Sequence, residues 1–218
     1  MKPAAALLLA LPVLPVFLAA PAAAAVAAQW SCFGNKPGHP TPAQRAAFIR
    51  EVSELAVKAE KAHGVPAAAL AAIAIAESGY GWTRIALEAN NLFAWKFGSS
   101  ARRDGRVPYA LRCRKGASRY VTFKSRAEAF DYVAGKLATL EAYRAHTEAY
   151  QAARRRGEPT ESAVRAWLSG IGERYSRKPE QFTRKIGRII NNPDEPADTT
   201  SPAHTLYRLS PPPLPAAR

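Results

Sequence analysis

The chain has 218 residues with a formal charge of +14 and two cysteines. Its outer stretches differ from its middle, and the middle has room for one domain of ordinary size, which excludes a multidomain machine. Residues 1–28 hold Lys2 as their one charge and read as a secretory signal peptide: a basic start, an apolar Ala/Leu/Val/Pro middle and a small-residue end. Residues 193–218 contain seven prolines and are expected to form a disordered Pro-rich tail, because such a composition buries too little apolar surface to offset its ordering entropy. The tail is net acidic by one charge, so residues 29–192 carry the whole basic excess. A field of that size favours polyanions. Export leaves anionic envelope polymers as partners and removes nucleic acid.

The predicted elements follow in chain order. Thr41-Pro42-Ala43-Gln44 combines an N-cap, a proline at the first helical position and a Gln at the third. Phe48, Val52, Leu55, Ala59 and Ala62 continue the helical period until Gly64. A second helix runs from Ala67 to about Ser78, and it is apolar nearly all round, so it is expected at the centre of the fold. Trp82 to Ala89 can make a further turn or two. From Phe97 to Thr122 the periodicity weakens, and a loop-rich excursion with at most a small hairpin is expected. Ser125 opens another capped helix reaching Leu140, followed by helices near Arg144–Arg156, Glu161–Leu168 and Pro179–Ile190. The class is mainly α.

Chemistry has few places to reside. The four histidines are scattered, and no zinc spacing, phosphate-cradling glycine loop or nucleophile elbow is present. Neither a metal nor a cofactor is expected. In an exported chain Cys32 and Cys113 are a candidate disulfide. Glu77 stands out because it follows eleven uncharged residues, Pro66 to Ala76, at the C-terminal end of the buried helix. Desolvation and the negative end of the helix dipole both favour its protonated form. A carboxyl held partly protonated is what the general acid of glycoside cleavage requires. The following Ser78-Gly79-Tyr80-Gly81 turn is expected to leave Tyr80 and Trp82 beside it, as aromatic faces for sugar.

The block Ala74-Ile75-Ala76-Glu77-Ser78-Gly79-Tyr80-Gly81, followed by Asn90-Asn91-Leu92-Phe93, resembles the signature of the bacterial glucosaminidases of glycoside hydrolase family 73. Tyr120 to Ser125 and Arg174-Tyr175-Ser176 extend the likeness, which covers roughly Thr41 to Asn192 and is nearest the bacterial Bax-type members. The resemblance implies a lysozyme-like fold in which an α-lobe and a small β-lobe flank a substrate groove. It implies Glu77 as proton donor, Tyr175 as a second catalytic residue, and Asn91, Phe93 and Trp95 at the groove. Two departures stand out: Ala94-Trp95 replaces the usual Gly after Phe, and Phe182 replaces a frequent tyrosine. The second carboxylate stays open between Asp104, Glu88 and the substrate's own N-acetyl group. The expected activity is that of an exported, monomeric peptidoglycan hydrolase, periplasmic or extracellular, cutting β-1,4 bonds on the N-acetylglucosamine side. A lytic transglycosylase or muramidase is the near alternative, and a non-catalytic basic wall-binding module the distant one.

Overall fold

The computed structural model describes residues 30–113, 116–194 and 205–210. The expected signal peptide lies outside them. Helix α1 (Pro42–His63) starts as its sequence dictates: Gln44 N donates to Thr41 Oγ1, and Thr41 N donates to Gln44 Oε1. Gly64 ends it in a left-handed conformation.

Helix α2 (Ala67–Ser78) is buried at every position from Ala67 to Ile75, and α1 pairs with it along its length. Its N-terminus has no side-chain cap of its own. Glu60 of α1 supplies one, with Oε2 accepting from Ala67 N at 3.1 Å. A carboxylate at that position satisfies an otherwise orphaned donor and faces the positive end of the helix dipole.

Helix α3 (Arg84–Ala89) is capped by Thr83, and α4 (Ser99–Arg103) is a short helix where a loop was expected, pinned by the buried Ala101. Strands β1 (Val107–Cys113) and β2 (Gly116–Thr122) form one antiparallel hairpin with Val107 opposite Thr122 and Cys113 opposite Gly116. It is longer than its sequence suggests. Cross-strand pairing carries it through Arg- and Gly-containing positions of low intrinsic β preference.

Helix α5 (Arg126–Thr139) is capped by Ser125, whose Oγ accepts from Glu128 N. Glu128 in turn accepts from Lys124 N and from Arg106, which ties the hairpin's base to this helix. Helices α6 (Glu141–Arg155), α7 (Thr160–Tyr175) and α8 (Pro179–Asn191) complete the bundle. The expected helix Glu161–Leu168 runs almost two turns further, through Gly170 and Gly172. The buried Ile171 and the packing of Gly172 close to Phe182 and Thr183 of α8 outweigh the glycines' poor helix propensity.

The expectation of a wholly disordered tail is corrected over Thr205–Ser210. Leu206–Leu209 forms a 3₁₀ turn against α2, with Leu206 fully buried. Ser210 Oγ donates to Glu60 Oε2 at 2.7 Å and accepts from Ala68 N, while its carbonyl accepts from Arg154 and Thr160. The apolar Leu206 and Leu209 contribute enough burial to order a segment whose flanks are proline-rich. The result is a mainly α, lysozyme-like architecture: helices around α2 form one lobe, and the β1–β2 hairpin with α3 and α4 forms the other. No helix among the described residues is long and apolar enough to cross a membrane.

Candidate active site

Where α2 ends, Ser78 folds the chain sharply. Its hydroxyl donates to Ala74 O and accepts from Gly81 N at 2.8 Å. Gly79, Tyr80 and Gly81 then take left-handed conformations in succession. At Gly81 (φ 83°) a side chain would also run into the Phe48 ring, so the motif's second glycine is required by packing as well as by backbone. This turn leaves Glu77 half-buried on the last turn of α2, at the floor of a cavity of about 710 Å³ between the two lobes. Burial raises the pKa of Glu77 above the usual carboxylate value, and the nearby Lys185 ammonium offsets part of that. Lys185 Nζ is held 3.2 Å from Ala76 O. Glu77 is the one carboxylate lining the cavity among the described residues.

Trp95, Tyr143 and Tyr175 line the same cavity as an aromatic cluster, with Trp95 6.1 Å from Tyr175 and 6.4 Å from Tyr143 between ring centroids. Burial, followed by the Glu77 charge, raises the Tyr175 pKa well above the ordinary phenol value, so the group stays neutral. Its hydroxyl donates to Phe93 O at 3.0 Å and fixes the loop after α3 against α7. Phe182 stacks behind it at 5.2 Å. Phe93 touches the cavity but is 2% exposed and packs edge-on against Phe130, so it is chiefly a core residue.

Asn91 does not reach the groove. It is buried, and its side chain organises the loop: Oδ1 accepts from Phe93 N and Trp95 N, while Nδ2 donates to Trp95 O and Val121 O. Ala94 sits inside that clamp with φ 48°, a conformation that favours glycine.

Tyr80 and Trp82, expected beside the acid, lie outside the cavity lining. Three successive left-handed residues carry the chain away from Glu77. Tyr80 donates to Pro193 O at 2.8 Å with Arg45 over its ring, and Trp82 stacks on His39 at 4.0 Å.

Neither candidate for the second carboxylate faces the groove. Asp104 is bound by Lys136 and by Tyr132 Oη, each at 2.7 Å, and those hydrogen bonds hold its carboxyl below the ordinary value. Glu88 accepts from Tyr109 Oη at 2.6 Å. Asp104 ties the turn before β1 to α5 of the helical lobe, and Glu88 ties α3 to β1 within the small lobe.

The cavity also holds groups that sequence reasoning missed: Phe33, Lys96, Tyr120, Tyr143 and Arg174. Arg174 adjoins the quoted Tyr175 and was within reach of the motif. Tyr143 and Phe33 carry no local signal, since they come from α6 and from the segment preceding α1. That segment is held by the Cys32–Cys113 disulfide, which joins it to the end of β1. No trio of His, Cys, Asp or Glu side chains among the described residues gathers as metal ligands would.

A two-lobed, lysozyme-like fold with a single half-buried acid in an aromatic groove belongs to the class of carbohydrate-cleaving proteins. Comparison makes the assignment narrower. The family model Glucosaminidase, described as mannosyl-glycoprotein endo-beta-N-acetylglucosaminidase, matches residues 53–195. The chain belongs to that family and is a glycoside hydrolase. Among solved structures it is similar in fold to the catalytic domain of the autolysin Auto from Listeria monocytogenes. The TM-score is 0.51 at 22% identity, over 71% of this chain and 86% of that one. An N-acetylmuramoyl-L-alanine amidase from Staphylococcus aureus gives a TM-score of 0.49 at 14% identity, over 67% of this chain and 42% of that one. No curated protein sequence matches.

Proposed function

We propose that the protein cleaves β-1,4 glycosidic bonds of peptidoglycan glycan strands on the N-acetylglucosamine side, outside the cytoplasm, with Glu77 as proton donor. The observation carrying this reading is Glu77, the one carboxylate among the described lining residues, desolvated in a cavity that it shares with Trp95, Tyr143 and Tyr175 and whose size suits a ligand of several groups. Autolysin-like architecture supports a wall substrate, and the pattern of residues 1–28 supports export.

In the proposed reaction Glu77 transfers its proton to the glycosidic oxygen as the C1–O bond breaks, and the leaving sugar departs neutral. Asp104 and Glu88 are engaged elsewhere, which favours the substrate's N-acetyl carbonyl oxygen as the group that attacks C1. The Glu77 carboxylate then takes a proton from the water that opens the cyclic intermediate, restoring the acid. Tyr175 acts by positioning, since its hydroxyl holds the Phe93 carbonyl.

The test is mass spectrometry of fragments released from purified peptidoglycan. Fragments ending in reducing N-acetylglucosamine are expected from the wild type. Glu77→Gln is expected to lose roughly 10²–10⁴-fold in turnover, the usual contribution of a general acid, while keeping its fold. Anhydro-muramic ends would move the protein to the lytic transglycosylases, and full activity in the variant would remove Glu77 from the reaction.

A further inference from the structure

Phe33 lies outside the residues that match the family, yet it lines the same cavity as Glu77. Phe33 is 60% exposed, one of three large apolar residues left open among the described residues. Exposed aromatic surface costs solvation free energy unless something covers it. Leu87 and Val107, the other two, do not line the cavity.

The segment that presents Phe33 is fixed on both sides. Cys32, its neighbour, is bonded to Cys113 at the end of β1. Trp30 Nε1 donates to Gly34 O at 2.9 Å, closing a small loop around Phe33, and Arg84 lies 4.2 Å over the Trp30 ring. Asn35 bridges to Thr83, and Lys36 N donates to Trp82 O at 2.8 Å. His39 stacked on Trp82 completes the attachment. A ring carried on a backbone held this firmly needs no ordering of its segment when a ligand covers it.

We infer that Phe33 is a sugar-binding platform of the groove, supplied by the disulfide-tethered segment before α1, that takes the apolar face of an N-acetylhexosamine ring away from the bond being cut. The inference rests on the glycan-cleaving reading above for its ligand. It assigns Phe33 to binding and Glu77 to chemistry, so the two fail separately.

The experiment uses the oxidised protein carrying Glu77→Gln and a tetrasaccharide of alternating N-acetylglucosamine and N-acetylmuramic acid, titrated by calorimetry. Phe33→Ala is expected to weaken binding about tenfold, the scale of one aromatic stacking contact. Phe33→Trp is expected to retain binding, and Val107→Ala, at an exposed position off the groove, to leave it unchanged. With Glu77 restored, Phe33→Ala raises KM by the same factor and holds kcat within about twofold.

In a Cys32→Ser/Cys113→Ser background the further loss on Phe33→Ala shrinks to less than about twofold, because an untethered ring contributes little. An unchanged or tightened Kd on Phe33→Ala, or no binding by the parent, overturns the platform. An undiminished loss in the disulfide-free background overturns the tether. Phe33-dependent binding without fragment release by the wild type would keep the platform and overturn the reaction instead.

Discussion

Glu77 gives up its proton less readily than an ordinary carboxyl. Burial raises its folded pKa above the ordinary 4.5, and Lys185 draws it back down. In the proposed role of general acid it would work only when protonated, so activity is expected to fall as pH rises through that raised pKa. Removing the cation leaves desolvation less opposed and moves this limb upward. Lys185→Met is therefore expected to shift the alkaline limb of kcat/KM to higher pH, and an unmoved or lowered limb in the rate profile would contradict the charge balance drawn around Glu77. Ala94 poses a different residue-scale problem. Its left-handed backbone costs an L-residue about 1–2 kcal/mol. Part of any gain on relieving that strain is returned as extra freedom in the unfolded chain. Ala94→Gly is accordingly expected to stabilise the fold by about 0.5–1 kcal/mol in denaturant melts, with the Asn91 bonds to the neighbouring backbone intact.

At the scale of elements, local chemistry was legible and tertiary decisions were not. The cap at Thr41 and the helix-ending Gly64 appear where the sequence places them, because each depends on neighbours within one turn. The Glu77 turn was legible too, since Ser78 and two glycines are its whole apparatus. Tyr80 and Trp82 were misplaced because adjacency in sequence says nothing of direction after three left-handed residues. Asn91 was read as a groove residue, whereas four backbone groups around it claim both ends of its amide. The tail was read by its prolines, and the signal missed was the apolar cluster Leu206, Tyr207 and Leu209 between them. That cluster has an energetic consequence. Leu206 is fully buried against α2, so Leu206→Ala is expected to cost about 2–4 kcal/mol. Thermal or urea unfolding measures it, and a variant as stable as the parent would show the 3₁₀ turn to be dispensable.

The whole molecule is organised around one apolar helix whose two ends are served by distant parts of the chain. Glu60, held by Tyr150 and Ser210, faces its start, and the Tyr80 hydroxyl beside its finish reaches the Pro193 carbonyl. The groove likewise draws on widely separated segments: Phe33 before α1, Trp95 after α3, Tyr143 on α6 and Tyr175 on α7. Two basic side chains, Lys96 and Arg174, border the same cavity, so part of the chain's excess positive charge lies at the groove.

The contact between Ser210 and the start of α2 also closes a loop of 142 positions along the chain. Every helix from α3 to α8 lies within that loop, so the contact forms only once the intervening chain has folded back onto α2. Until it forms, the Ala68 N–H of the buried helix lacks the hydroxyl oxygen that accepts from it. A chain cut after α8 would lose that acceptor together with the Leu206 packing, at the end of α2 away from Glu77.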